Sequence, residues 1–220
     1  MTRTLKIRWA GGTTTAKLAV GATATGVLLA HGAGAGQDHH FMVGMRQRLG
    51  ALGITTMTFN YAYTDAGRRA PDRMPKLLDV HEAAHRRLLD YTDTVILAGK
   101  SMGGRVASHL AGGTDDEGGR TSDELKGLVY LGYPLVPLGK SDPRPTNHLE
   151  GIDVPQLFVA GTRDRLSPPA IITTVAASLP RARVHIIDDA DHGFHVPKRT
   201  GRTDEDVLDE LASLVAEFVA

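Results

Sequence analysis

The chain has 220 residues, which is long enough to bury a substantial core and fits one α/β domain better than two. Its 25 basic residues balance its 25 acidic residues, so bulk charge gives no reason to expect a nucleic-acid or anionic-membrane partner. The absence of cysteine excludes disulfides, thiolate metal sites and a cysteine nucleophile.

Strand-like and helix-like segments alternate along the chain. Apolar or alternating runs predict strands at residues 4–10, 15–21, 26–31, 54–61, 94–99, 125–133, 155–161 and 182–188. One-faced apolar patterns predict helices at residues 39–52, 74–91, 102–112, 169–179 and 204–220. This order predicts an α/β fold in a single domain over residues 1–220, with about eight mostly parallel strands and helices on both faces. The polar loop 114–124 is expected to be the most mobile segment.

The N-terminal segment loosely imitates a secretory signal, because basic residues precede an apolar run. Thr13–Thr15, Lys17 and several glycines interrupt that run. The interruptions make the segment a poor signal peptide and far too polar to span a membrane. We therefore expect these residues to be part of the folded domain and the protein to be cytoplasmic.

A cramped corner with one serine lies between a predicted strand and a predicted helix. Residues 99–103 read Gly-Lys-Ser-Met-Gly and fit the pattern G-x-S-x-G. In the strand–turn–helix context this pattern is typical of a nucleophile elbow, where glycines relieve a strained turn that exposes the serine hydroxyl. The sequence therefore predicts Ser101 as a nucleophile and the Met102 amide, at the start of the helix, as an oxyanion donor.

A nucleophilic serine needs a base. In this strand–turn–helix architecture the acid follows the serine in the chain, and the histidine follows the acid. Asp164 and His192 each follow a predicted strand, so both are expected at the carboxyl edge of the sheet near Ser101. We assign His192 as general base and then acid, and Asp164 as the group that orients the imidazole. Other nearby candidates are Asp188, Asp189 and Asp191 for the acid and His195 for the base.

The glycine-rich loop "HGAGAGQDHH", residues 31–40, follows the third predicted strand. Its glycines allow close approach of the backbone, and we expect the Ala33 amide to be the second oxyanion donor. The same loop falls short of the dinucleotide pattern G-x-G-x-x-G, because Gln37 stands where the third glycine would be.

One motif points to different chemistry. His81-Glu82-Ala83-Ala84-His85 matches the zinc-binding pattern H-E-x-x-H. No third ligand stands out, so we interpret the segment as an amphipathic surface helix with two half-exposed histidines. Asp38, His39 and His40 are interpreted in the same way, as the start of a helix near the site rather than as metal ligands.

The serine corner, the loop after "VLLAHG", the acid after "LFVAGTRD" and the histidine in "DADHGF" together resemble the α/β-hydrolase superfamily over essentially the whole chain. More narrowly, "GKSMGGRVAS", "FNYAYTDAGRRAPDR" and "HLEGIDVPQLFVAGTRD" are similar to a compact branch. That branch includes dienelactone-hydrolase-like bacterial proteins and the hydrolase-like domain of a chromatin-acetylating complex subunit, which is non-enzymatic. The resemblance implies a triad of Ser101, Asp164 and His192. Dienelactone hydrolases proper use a cysteine nucleophile, so their substrate is not carried over.

The connection between the sixth and seventh predicted strands is too short for the helical cap found in many members of the superfamily, so we expect an open or lightly covered site. The loop "GRRAPDR" lies at the same edge of the sheet. Arg68, Arg69 and Arg73 could bind a substrate carboxylate or phosphate there. The alternative is that one of them pairs with Asp72 or Asp65 and braces the loop.

The leading hypothesis is a serine hydrolase that cleaves a small-molecule carboxylic ester or thioester through an acyl-enzyme. It needs no metal or organic cofactor and no nucleic-acid or membrane partner. Two alternatives stay open: acyl transfer or peptide cleavage with the same triad, and a non-catalytic scaffold that keeps the fold. The sequence leaves the acyl group, the leaving group and the oligomeric state undetermined.

Overall fold

Eight strands form the centre of the computed structural model, which describes residues 2–113, 118–121 and 123–220. The strands are β1 (Thr2–Trp9), β2 (Gly12–Ala19), β3 (Thr25–Ala30), β4 (Thr56–Phe59), β5 (Thr94–Lys100), β6 (Leu125–Leu131), β7 (Gln156–Gly161) and β8 (Ala182–Ile187). The α-helices within those residues are α1 (His40–Ala51), α2 (Ala62–Asp65), α3 (Met74–Leu88), α4 (Met102–Gly112), α5 (Pro169–Ala177) and α6 (Asp204–Val219).

The strands lie side by side in the order β1-β2-β4-β3-β5-β6-β7-β8. β2 is antiparallel to both β1 and β4, and the six strands from β4 to β8 across the sheet are mutually parallel. The predicted α/β fold with a mostly parallel sheet is therefore confirmed. Because parallel strands end at one edge, the loops after β3, β5, β7 and β8 are brought to the same side of the molecule.

Helices cover both faces of the sheet, as the apolar runs of the central strands require. In β5, Leu97 packs in the core on one face and Ile96 in the core on the other, which follows the two-residue period of a strand. Helices α3, α4 and α5 contribute to the first core, and α1 and α6 contribute to the second. β5, the strand that precedes Ser101, is therefore held from both sides.

One short element differs from the sequence prediction. The fourth strand ends at Phe59 rather than continuing to residue 61, because the chain turns into the four-residue helix α2, which is too short for periodicity to reveal. Between β6 and β7, the regular structure is one 3₁₀ turn, Asn147–Leu149, and no helical cap is present.

The loop predicted to be mobile, 114–124, falls partly outside the described residues, at 114–117 and 122. None of the described helices is both long and apolar enough to cross a membrane.

Candidate active site

The carboxyl edge of the parallel strands gathers the three residues that the sequence singled out. Ser101 follows β5 directly, Asp164 lies three residues beyond β7, and His192 lies in the loop after β8. These positions are widely spaced along the chain and meet because their strands end at one edge of the sheet.

The turn at Ser101 is a strained corner. Ser101 has φ 50° and ψ −115°, a conformation that costs a non-glycine residue about 1–3 kcal/mol. The flanking glycines are required by close packing: a Cβ at Gly99 would lie 2.2 Å from the Gly104 nitrogen, and one at Gly103 would lie 2.4 Å from the Ala30 oxygen. The strand and helix therefore meet at a distance that only glycine allows, and the serine side chain is directed out of the turn.

The side chains of Ser101, His192 and Asp164 form a continuous hydrogen-bonded chain. Ser101 Oγ lies 2.9 Å from His192 Nε2. On the other side of the ring, His192 Nδ1 lies 2.9 Å and 2.8 Å from the two carboxylate oxygens of Asp164. Because an ionised carboxylate can only accept, Nδ1 carries the proton, and Nε2 is free to accept the serine O–H. This is the tautomer that a general base for Ser101 requires.

The environment of Asp164 keeps this carboxylate ionised although its side chain is fully buried. Burial by itself raises the pKa of Asp164, but the hydrogen bond and charge of His192 and the amides of Ser167 and Leu166 outweigh it, so the pKa lies below its usual value. Those amides donate to Oδ1 at 2.9 Å and 2.8 Å. Asp164 is thus held in a fixed orientation toward the imidazole.

Two main-chain amides next to Ser101 have no acceptor among the described residues. Met102 is the first residue of α4, where helix N–H groups lack an intrahelical partner, and the Ala33 amide makes no hydrogen bond in the described part of the chain. The loop that carries Ala33 packs on the serine: a Cβ at Gly32 would lie 3.5 Å from Ser101 Cβ. His31 braces the same loop, because its Nδ1 donates to the Gly32 carbonyl at 2.8 Å and its Nε2 accepts from the Tyr61 amide.

A cavity of about 390 Å³ opens beside Ser101. Apolar side chains form much of its wall, together with several imidazoles: Phe41, Met42, Leu166, His39, His40 and His195. A second cavity, of about 890 Å³, is also bounded by His192 and extends to Leu138 and Arg165. His192 therefore borders two adjoining spaces that are each large enough for part of a small molecule.

The other candidates near His192 make contacts elsewhere. Asp189 binds Arg199, and Asp191 accepts the amides of Gly193 and His195. His195 pairs with Asp204 through its Nδ1 at 2.6 Å. Asp188 accepts the amide of the next residue at 3.0 Å. In the described residues these groups shape the loop after β8, and none of them forms a hydrogen bond with Ser101.

The arginines of the loop after β4 do not line the cavity beside Ser101. Arg68 donates to Asp72 at 2.7 Å, and Lys76 reaches the same carboxylate oxygen at 3.4 Å. Arg69 is exposed. The geometry therefore matches the bracing role that the sequence left as an alternative to substrate binding.

The H-E-x-x-H segment forms helix α3 as expected, but the prediction of two half-exposed histidines is wrong. His81 is fully buried and His85 is 2% exposed. His81 Nδ1 lies 2.9 Å from the Tyr61 hydroxyl and faces the core. Among the described residues, no three His, Cys, Asp or Glu side chains are grouped so that they could hold a metal ion. His81 lies four residues after Leu77, within the apolar stripe of α3, and that spacing was the available signal for burial.

Sequence reasoning missed one residue at the site. Lys100, between Gly99 and the serine, donates from Nζ to the main-chain oxygen of His192 at 2.6 Å. The sequence places this lysine at the end of a strand, but only the packing of two later loops determines where its side chain points.

A family model described as an α/β-hydrolase domain matches residues 23–220 of the chain. Among solved structures, the chain is similar to an α/β serine hydrolase without lid from Xanthomonas campestris, at 18% identity and a TM-score of 0.73, covering 99% of this chain and 95% of that one. A dienelactone hydrolase from Anabaena variabilis is also 18% identical, with a TM-score of 0.75 and coverage of 99% and 96%. The esterase Est1E from Butyrivibrio proteoclasticus is 17% identical, with a TM-score of 0.71 and coverage of 98% of each chain.

These neighbours agree with the compact, dienelactone-hydrolase-like branch that the sequence resembles. At such low sequence identities, the similarity to these structures shows the fold alone. The family model matches most of the chain, and this match shows the family. The chain belongs to the α/β-hydrolase family.

Proposed function

We propose that this protein is a serine hydrolase that cleaves a carboxylic ester or thioester through an acyl-enzyme. Ser101 is the nucleophile, His192 the general base and acid, and Asp164 the residue that orients His192. The observation that carries the proposal is the unbroken hydrogen-bonded chain from Ser101 Oγ through the imidazole to a buried carboxylate. A serine hydroxyl is a weak nucleophile unless such a base takes its proton.

In the acylation step, Ser101 Oγ bonds to the acyl carbon while its proton passes to His192 Nε2. The electron pair of the carbonyl moves onto its oxygen, and the Ala33 and Met102 amides stabilise the resulting negative charge. When the tetrahedral intermediate collapses, the bond to the leaving group breaks. The departing alkoxide or thiolate takes the proton from Nε2, and the acyl group stays on Ser101.

Deacylation repeats the sequence with water. His192 Nε2 accepts a proton from the water as its oxygen bonds to the acyl carbon. Collapse then returns the proton to Ser101 Oγ and releases the carboxylic acid. Asp164 keeps its negative charge throughout and stabilises the imidazolium that forms in each half-reaction, which fits its buried position with three N–H donors, from Leu166, Ser167 and His192.

The two cavities favour a small or flexible acyl substrate. The cavity beside Ser101 and Ala33, about 390 Å³, has mainly apolar walls suited to a short acyl chain. The larger space is bounded by His192 but not by Ser101, so it suits the distal part of the leaving group, while the departing atom itself must lie beside Nε2, which faces Ser101. The short connection between β6 and β7 leaves both spaces without a helical cover.

The test is labelling with a fluorophosphonate probe, which reacts with an activated serine and needs no knowledge of the substrate. We expect the wild type to label and Ser101→Ala and His192→Ala to lose labelling. Ser141→Ala is the matched control, because Ser141 is an exposed loop serine outside the site.

A folded wild type that does not label would contradict the proposal and favour the scaffold alternative. With labelling established, a panel of esters, thioesters, acyl acceptors and peptides separates hydrolysis from acyl transfer and peptide cleavage. The proposal expects turnover of short-chain esters or thioesters with water as the acceptor.

A further inference from the structure

The side chain of Lys100 is directed into the site, toward the main chain of His192, and is only partly exposed. Lys100 is the last residue of β5 and directly precedes Ser101. Its Nζ donates to the main-chain oxygen of His192 at 2.6 Å. The same ammonium lies 5.2 Å from the ring centre of Phe194 and 6.0 Å from that of Phe41. The charge thus lies beside a stacked pair of aromatic rings, whose centres are 5.9 Å apart, a position that a methionine could fill without the cost of burying an ammonium.

The ammonium also approaches the His192–Asp164 pair from the side. A Cβ placed on Gly132 would lie 3.2 Å from Asp164 Oδ2, 3.3 Å from His192 Nδ1 and 3.3 Å from Lys100 Nζ. The three polar atoms therefore surround one point that is open only because residue 132 is glycine. Lys100 belongs to the same polar group as the acid and the base.

The charge balance around Lys100 agrees with this placement. Burial lowers the pKa of Lys100 from 10.5 to about 8, while the carboxylates of Asp164 and Asp191 oppose the decrease. The titratable groups that face the ammonium are Asp164 after β7, Asp191 and His192 after β8, and His39 at the start of α1. At neutral pH the lysine is mainly charged and is a strong donor to the carbonyl.

The loop that carries His192 has no regular secondary structure, so its position depends on individual contacts. Asp191 organises the loop from within by accepting the amides of Gly193 and His195. The bond from Lys100 differs, because it connects the loop to the strand that carries the nucleophile. A displacement of this loop changes the distance from His192 Nε2 to Ser101 Oγ directly.

We propose that Lys100 is a positioning residue that holds His192 by its main-chain carbonyl and so fixes the imidazole between Asp164 and Ser101. This inference rests on the proposed function and extends it. Lys100 acts through His192 and makes no covalent bond to the substrate. Because it neighbours Ser101 in the chain, one short segment positions both the nucleophile and the base.

The test compares the wild type with Lys100→Met and Lys100→Gln, using Lys126→Met as the control at an exposed lysine. Methionine fills the space beside the two rings but donates no hydrogen bond, whereas glutamine keeps an uncharged N–H donor. In Lys100→Met, we expect the labelling rate and kcat to fall by about 10²-fold with KM little changed, the scale of effect expected from a misplaced catalytic group. Lys100→Gln is expected to lie between Lys100→Met and the wild type, and Lys126→Met to match the wild type.

A second readout is the low-field proton NMR signal of the His192–Asp164 hydrogen bond. We expect this signal in the wild type and its loss or broadening in Lys100→Met, while circular dichroism shows that the variant is folded. Wild-type kinetics in Lys100→Met would overturn the proposal. A raised KM with unchanged kcat would also overturn it, because Lys100 would then bind substrate. The proposal would also be overturned if Lys100→Met had a reduced kcat but an unchanged NMR signal.

Failure of the proposed function is distinguishable from failure of this inference. If the wild type does not react with the probe, the hydrolase proposal fails. The NMR comparison between wild type and Lys100→Met still reports whether the lysine positions the imidazole.

Discussion

Gly103 on helix α4 packs directly against the main chain of Ala30 at the end of β3. A Cβ at Gly103 would lie 2.4 Å from the Ala30 oxygen and 2.8 Å from the oxygen of His31. Both atoms are backbone, so a side chain there cannot be relieved by a rotamer change. This contact fixes the position of the N-terminus of α4, at Met102, relative to the loop that carries Ala33. The second glycine of the elbow therefore sets the distance between the two proposed oxyanion donors.

We expect Gly103→Ala to lower the free energy of unfolding by about 1–3 kcal/mol or more, the usual cost of overpacking a close contact. Since α4 must shift away from β3, probe labelling of Ser101 should fall as well. Gly118→Ala is the control, because a Cβ at Gly118 would meet no atom of the described residues within 4 Å. Chemical denaturation and labelling rates measured on both variants check the prediction. Equal behaviour of the two variants would mean that the corner tolerates a side chain.

Asp164→Asn is expected to lower kcat by about 10³–10⁴-fold with a much smaller effect on KM. An asparagine amide can donate toward His192 Nδ1, which favours the tautomer that cannot accept the serine proton. Asp188→Asn is the matched comparison, since Asp188 is the first of the alternative acids in the sequence and lies outside the hydrogen-bonded chain. A large loss of kcat in Asp188→Asn with an active Asp164→Asn would reverse the assignment of the acid.

Local patterns and the chain order of the three catalytic candidates predicted most of the architecture. The two-residue alternation and the strand–helix succession predict which loops share an edge, and this places Ser101, Asp164 and His192 together. Contacts formed by the tertiary structure were harder to foresee. His81 lies at helical spacing within the apolar stripe of α3, yet a histidine at that position reads equally well as a surface residue. The direction of Lys100 depends on where the loop after β8 packs, which no local pattern specifies.

Three buried histidines and one partly buried histidine predict an acid-sensitive fold. Burial lowers the pKa of His31 and His85 from 6.5 to about 4 and that of His81 and His148 to about 3. Between pH 6.5 and these values the unfolded chain binds protons that the native protein does not, so the free energy of unfolding falls as pH falls through this window. Above pH 7 these histidines are neutral in both the folded and the unfolded chain, so they should change the free energy of unfolding little. Urea unfolding measured from pH 8 to pH 4 tests the expectation.

A variant separates the contribution of one histidine. His81→Gln removes a titrating group from the core, so the slope of unfolding free energy against pH below 6.5 should become shallower by up to about 1.4 kcal/mol per pH unit. His40→Gln, at an exposed histidine, should leave the slope unchanged. An equal slope in the wild type and His81→Gln would show that His81 is not the source of the sensitivity.

Arg68→Ala tests whether the loop after β4 binds substrate or is braced internally. Arg68 is half-exposed and pairs with Asp72, so its removal should cost at most about 1 kcal/mol of stability. We expect KM to stay the same for esters with neutral and with anionic groups. Arg69→Ala, at an exposed neighbour, is the comparison. A KM that rises only for anionic esters in Arg68→Ala would instead assign the arginine to the substrate.

The Ala33 amide can be tested without changing its side chain, by replacing the peptide N–H with an ester oxygen through incorporation of lactate at position 33. Removal of one oxyanion donor typically lowers kcat by about 10²–10³-fold. We expect a loss of this size with KM little affected, because the donor acts on charge that develops after the substrate binds. The control is the same replacement at Ala35, whose amide donates to the Gly32 oxygen at 3.3 Å and so helps to shape the loop. Equal losses at both positions would mean that loop shape, and not the Ala33 donor, limits the reaction.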